Sequence, residues 1–316
     1  MRETLIQYRG LLGPLVVVVL FGVGMLWSPF EPHRAPENPD FPTEVEGAWA
    51  DADWDVFAAK VQWASEARLD TLPTGTAMAA LGRTFVGTPY VPGTLEVDGP
   101  ERLVVDFQGL DCVTFVENVL ALTRFVKGGG AARLGDRGRA EAAYETLLRD
   151  IRYRGGVIDG YPSRLHYFSD WIWDNDRRGQ VVDRTGELGG VRDPDPIDFM
   201  STHPEAYRQL VDPAVVRAVR ANERAITDRG RDYVPQGRIA SVAERIRDGD
   251  IIAATSTVDG LDVAHTGLAL WVDGELHLLH APLVGTAVEI SELPLADRIQ
   301  GIEGQDGIMV ARPREP

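Results

Sequence analysis

Apolar residues recur along this chain in three rhythms. From Gly10 to Phe30 no charge interrupts the run, and its centre reads Leu15-Val16-Val17-Val18-Val19-Leu20-Phe21. A stretch of roughly 20 such residues is long enough to span a bilayer as a helix. The next rhythm is helical. Val56, Ala59, Trp63 and Ala67 share one stripe of a helix expected over 53–69, and a second helix over 76–85 stops at Gly87-Thr88-Pro89-Tyr90. A third begins at Cys112, carries Phe115, Val119, Leu122 and Val126 on one face, and ends at Gly128-Gly129-Gly130. Residues 141–244 read as helix and loop. After Asp248-Gly249-Asp250 strand character takes over, at 251–255, 263–272, 275–281, 287–290 and 308–312. Helices first and an antiparallel sheet last define an α+β arrangement.

The N-terminal run bears on compartment. Arg2 and Arg9 precede it and place the N-terminus on the cytoplasmic side, while Trp27 and Phe30 suit the membrane interface. No small-residue cleavage site follows closely, so the run reads as an uncleaved signal anchor to the inner membrane rather than a cleaved signal. Either way the remainder is exported to the periplasm. Prolines 29, 32, 36, 39 and 42 mark a semi-extended spacer. The expected organisation is a signal anchor at 1–30, a Pro-rich linker at 31–45 and one domain at 46–316. Composition narrows the partners: the 316 residues carry 32 Lys+Arg against 48 Asp+Glu, a formal net charge of −16. Such a chain is ill suited to grip nucleic acid or an anionic lipid surface. A single cysteine excludes an internal disulfide framework and a Cys-only metal cage.

That cysteine is the first candidate for chemistry. Asp111 is a natural N-cap, so the Cys112 thiol stands at a helix start, where the macrodipole favours an anion and lowers a thiol pKa. A lone cysteine is often an inert small hydrophobe. Exported proteins, however, tend to pair their cysteines or lack them, and an unpaired one at a helix start points to a nucleophile.

The sheet supplies the second group. Asp273-Gly274 is a strong two-residue hairpin signal. With those residues as the turn, Val272 faces Glu275, Trp271 faces Leu276 and Gly267 faces His280. His265 shares that face as the diagonal neighbour of His280, at a backbone separation of about 7–8 Å. His277 has the opposite parity. A cysteine with two histidines on one face makes the nucleophile, base and orienter of a cysteine hydrolase. The same three side chains could ligate zinc, although no H-E-x-x-H or comparable helical word accompanies them.

Gly87-Thr88-Pro89-Tyr90, Leu110-Asp111-Cys112, His265-Thr266-Gly267-Leu268-Ala269-Leu270 and Leu279-His280-Ala281 together resemble the NlpC-type papain-like cell-wall peptidases. The longer words Thr88 to Glu96, Asp111 to Glu117, Arg164-Leu165-His166-Tyr167 with Trp171 and Asn175, and Gly260 to Gly267 are similar to the N-acetylmuramoyl-L-alanine amidase-like branch. The resemblance spans roughly 76–312. It implies a papain-like core with a mainly helical insertion at about 128–248. It also implies a muropeptide or peptidoglycan substrate, no cofactor, and hydrolysis of the amide joining N-acetylmuramic acid to L-alanine. A γ-D-glutamyl stem-peptide bond is the alternative target, and an inactive wall-binding module the non-enzymatic one. On this resemblance Cys112 attacks, His265 moves the proton and His280 holds His265; Tyr90 is a pocket residue. Arg154, Arg164, His166 and Tyr167 are candidate substrate contacts, since arginine forks suit the carboxylates of muropeptides. Arg154 and Arg164 could instead pair with Asp159 or Asp170, and Trp171 and Trp173 could form a sugar platform or lie in the core.

Overall fold

A computed structural model of the chain describes residues 49–283 and 286–316, with two short strands nearer the start. Those strands, β1 (Val18–Leu20) and β2 (Val23–Met25), pair antiparallel. They fall within the run expected to be a membrane helix. Over these six residues the chain is strand, the conformation β-branched valines favour. The rest of that run and the Pro-rich spacer lie outside the described residues. Among the described residues no helix is long and apolar enough to cross a membrane.

The domain opens with α1 (Asp51–Glu66), α2 (Thr74–Arg83) and α3 (Cys112–Lys127). In α1 the buried face is Asp53, Phe57, Val61 and Ala64, not the expected stripe, and Trp63 is 41% exposed. The choice is made by aromatic packing. Phe57 nests among Trp49, Phe125 and Tyr144 with ring centroids 5.0–5.1 Å away. Helix α3 is buried on nearly every side, with only Arg124 and Lys127 partly exposed. A helix buried all round belongs at the centre of a core.

The middle of the chain contributes α4 (Arg137–Arg152), α5 (Phe168–Arg177), β3 (Val181–Asp183), β4 (Val191–Asp193), α6 (Phe199–Thr202), α7 (Pro213–Arg229), β5 (Arg231–Pro235) and α8 (Ile239–Val242). The last part contributes β6 (Ile251–Ser256), β7 (Val263–Val272), β8 (Glu275–His280), β9 (Glu289–Ile290), α9 (Leu295–Gly301) and β10 (Gln305–Pro313). Eight strands form one sheet in the order β4-β5-β10-β6-β7-β8-β9, with β3 also on β10. Its registers are antiparallel throughout. The stretch expected to be helix and loop therefore supplies three strands. They are three to five residues long, too short for alternation to show.

Alternation along the strands divides the core. Ile251, Ala253, Leu268, Leu270, Leu279, Met309 and Ala311 face the cluster built with α1 to α4, and Gly82 of α2 leaves space for Leu268 and Leu279. Ile252, Ala254, Ala269, Leu278, Ile308 and Val310 face α8 and α9. A third cluster joins Tyr161, Tyr167, Phe199, Tyr207 and Ile226 around α6 and α7.

Candidate active site

Asp111 caps α3 as expected. Its Oδ1 accepts from the amides of Val113 (3.1 Å) and Thr114 (2.8 Å), and Thr114 Oγ1 accepts from the Asp111 amide (2.9 Å). This reciprocal box fixes the first turn and does not use the Cys112 amide. Behind it lies a buried polar network. Arg152 Nε donates to Glu117 Oε2 at 2.6 Å, Trp171 Nε1 donates to Glu117 Oε1 at 3.2 Å, and Tyr144 donates to Asn118 at 2.6 Å. On the other side Thr266 Oγ1 donates to the Cys112 carbonyl at 2.8 Å, tying α3 to β7 one residue past His265.

Cys112 is 4% exposed. Burial, and then the Asp111 carboxylate, push its thiol up to about 12, while the amide and hydroxyl of Thr266 and the residue's own amide favour the thiolate. The expectation of a lowered thiol pKa is thereby reversed: desolvation outweighs the helix start. Tyr90 stands close enough to Cys112 and Asp111 for both to disfavour its phenolate, after burial. Gly87, Tyr90 and Val288 are linked to neighbouring chain by backbone bonds of 2.8–3.0 Å, a ladder that holds Tyr90 beside Leu110.

The hairpin has the expected register. Val272 pairs with Glu275 and Trp271 with Leu276, and Asp273 and Gly274 take φ of 50° and 89°. His265 Nε2 and His280 Nδ1 approach to 2.8 Å, with their rings at 85°. Gly267 is required here, because a Cβ would stand 2.9 Å from His280 Cβ and 2.8 Å from the Leu279 carbonyl oxygen. His277 points elsewhere and its Nδ1 meets the Ser291 carbonyl at 2.8 Å. Burial, then Arg298, hold His265 down to about 3, and burial, His265 and Arg298 lower His280 further. Both imidazoles are neutral at pH 7. Among the described residues no hydrogen bond joins Cys112 Sγ to His265 in this resting arrangement.

The four candidate substrate contacts separate. Arg164 is buried against Glu96 and Glu101, donates to the Leu95 carbonyl at 2.9 Å and lies over the Tyr161 ring. Its partners are thus neither Asp159 nor Asp170. His166 bonds the Tyr161 carbonyl at 2.9 Å, and burial, then Arg164, keep it well below the usual histidine range. Both line a small cleft with Leu95, Glu96, Asp111 and Val113 at the first turn of α3. Arg154 is held by Asp170 at 2.6 Å. Tyr167 donates to Glu223 at 2.8 Å, accepts from the Met200 amide at 2.9 Å and belongs to the third cluster. Arg154 and Tyr167 are thus engaged in internal bonds, and neither lines that cleft. Trp171 is fully buried, and Trp173 is half-exposed under Arg229. A larger cleft of about 450 Å³ lies farther along β7, among Thr74, Asp250, Trp271 and Arg312.

Sequence reasoning did not single out Thr266, Arg152, Glu289 or Arg298. Nothing in local spacing marks them, since each partner is far away along the chain. The pairing of Glu96 with Arg164 was open to discovery only as two opposite charges in separate words.

The AmiA-like family, described as N-acetylmuramoyl-L-alanine amidase-like, matches residues 80–307. Similar solved structures include an N-acetylmuramoyl-L-alanine amidase from Bacteroides uniformis, 38% identical with a TM-score of 0.70, over 76% of this chain and 99% of that one. A protein from Bacteroides fragilis described as a putative xylanase is 37% identical, with a TM-score of 0.65 over 73% and 98%. A Legionella pneumophila protein of the DUF1460 family shares the fold at 19% identity, with a TM-score of 0.61 over 83% and 96%. No curated protein matches the chain. These likenesses define an amidase-like class of hydrolase related to peptidoglycan. The chain belongs to the AmiA-like, N-acetylmuramoyl-L-alanine amidase-like family.

Proposed function

We propose that the chain is an exported cysteine amidase of NlpC-type papain-like kinship, cleaving the amide between N-acetylmuramic acid and L-alanine in muropeptides or peptidoglycan. The observation that carries this reading is the His265–His280 pair at 2.8 Å, whose His265 lies on the strand that Thr266 clamps to the Cys112 carbonyl. His265 uses Nε2 for His280, so Nδ1 is the nitrogen left to take the thiol proton and later deliver it to the leaving amine. With the thiol pushed up and the imidazole held down, the resting pair is neutral, and proton transfer accompanies attack on the carbonyl. The Cys112 amide, unused by the cap, is a donor for the developing oxyanion. Tyr90 borders the same space, and Arg164 and His166 shape the adjoining cleft. A glycosidase would need two free carboxylates flanking the sugar; Asp111 and Glu117 near Cys112 are committed to the cap and to Arg152.

Digestion of purified muropeptides with product masses tests the reading. Release of free stem peptide beginning at L-alanine is expected. Cleavage within the stem would reassign the enzyme as a γ-D-glutamyl peptidase, and no turnover would favour a wall-binding module. Anchoring by residues 10–30 is part of the proposal. Detergent-dependent release from the inner membrane is expected, and a mature N-terminus beyond Trp27 would show cleavage instead.

A further inference from the structure

His280 leaves one ring nitrogen unused. Its Nδ1 meets His265, while its Nε2 is buried with no hydrogen-bond partner. One charged group borders that nitrogen and a second acts on the ring through space. Glu289 of β9 is the cross-strand neighbour of His280, and its Oε1 stands 4.0 Å from Nε2. Arg298 of α9 acts electrostatically on both imidazoles and is itself favoured as a cation by Glu289, and one of its terminal nitrogens is also buried without a partner. The His280 side chain is 1% exposed and that of Glu289 is 52% exposed, so the carboxylate has room to change rotamer where the ring has none.

The bond between the imidazoles holds one proton, and its position decides whether His265 can act. For His265 to accept the thiol proton at Nδ1, its own proton must sit on Nε2 and be donated to His280 Nδ1. A neutral His280 accepting at Nδ1 carries its proton on Nε2. That turns the unpartnered nitrogen into a buried donor, which needs an acceptor. In the reverse arrangement His280 donates through Nδ1 and presents a bare Nε2 that suits Arg298. His265 then carries its proton on Nδ1, where it blocks the thiol. The two neighbours thus favour opposite tautomers.

We infer that Glu289 is a positioning residue: its carboxylate accepts the His280 Nε2 proton and so selects the tautomer in which His265 Nδ1 is free, with Arg298 acting against it. This rests on the proposed role of His265 as the base. Glu289 touches no substrate and acts through His280 alone. When His265 takes the thiol proton and becomes an imidazolium, the same carboxylate stabilises the added charge across the ring pair, and Arg298 opposes it.

The test uses the full chain labelled with ¹⁵N-histidine, and the variants Glu289→Ala, Glu289→Gln and Arg298→Met. Wild type should show both imidazoles protonated on Nε2. Glu289→Ala should move population to the Nδ1-protonated form of His265. Its kcat should fall about tenfold at unchanged KM, because only the remaining competent fraction turns over. Glu289→Gln, whose amide oxygen still accepts, should recover part of both. The acid limb of kcat/KM should move down by about one pH unit in Glu289→Ala and up in Arg298→Met. Unchanged tautomers in Glu289→Ala, or acid limbs moving the same way in both variants, would overturn the inference. The tautomer measurement needs no turnover, so it decides the role of Glu289 even if muropeptide cleavage fails.

Discussion

Around Cys112 nearly every polar group is tied, whereas around His265 and His280 one bond does most of the holding. The start of α3 has a reciprocal cap, the Thr266 clamp and a buried network of Glu117, Arg152 and Trp171 behind it. The histidines sit on strands beside Ala269 and Leu278, joined to each other at 2.8 Å, with one nitrogen unpartnered. The Cys112 end is fixed by charge-assisted bonds, which hold geometry. The histidine end is fixed by register and by a missing side chain at Gly267, which set which residues meet but not which nitrogen carries a proton. In the proposed mechanism, rigidity therefore belongs to the attacking atom and adjustability to the proton carrier.

The largest expected effect removes the proposed nucleophile. Cys112→Ala should lower turnover by roughly a thousandfold or more while the melting temperature stays near wild type. Retained activity would end the cysteine mechanism. Next, His280→Ala should reduce kcat by about a hundredfold, in the range of general acid–base effects, and His277→Ala should be near neutral. The reverse order would break the assignment of parity. Third, Arg152→Met strands Glu117 in the core behind the cap and should cost about 3–5 kcal/mol of stability, read by urea unfolding. A loss no greater than that of an exposed arginine would show that the tight end is not held as argued. The smallest effect sharpens the electrostatics. With the thiol at about 12, the thiolate fraction rises with pH throughout the usable range. Iodoacetamide alkylation should therefore speed up about tenfold per pH unit from roughly pH 7 to 10 without levelling. A plateau near neutrality would mean a resting thiolate.

What the sequence revealed follows the range of the signal. The start of α3, its Gly128 stop and the Asp273-Gly274 hairpin each depend on neighbours a few residues apart, and they were legible. The register then carried His265, Gly267 and His280 to one face by parity alone. The buried stripe of α1 was not legible, because two apolar stripes compete and the choice depends on Phe107, Phe125 and Tyr144 from elsewhere. Of the internal partners, Asp170 was legible as one option for Arg154, whereas Glu223, which engages Tyr167, was illegible in local spacing. The direction of the Cys112 shift was missed for a related reason. A helix start is visible in sequence, and the depth of its burial is not.

Strand β10 has a consequence for how such a domain comes into being. It lies between β6 on one side and β3 with β5 on the other, yet it follows every other strand in the chain. The sheet cannot close across its middle until residues 305–313 have emerged. Until then β6 keeps an open edge where the finished domain has a ladder. If the chain is threaded unfolded through a membrane, the delay is useful, because the earlier segments lack the central row on which a stable compact form depends. A shortened chain ending before Gln305 should accordingly be soluble only with a chaperone and show no cooperative melting.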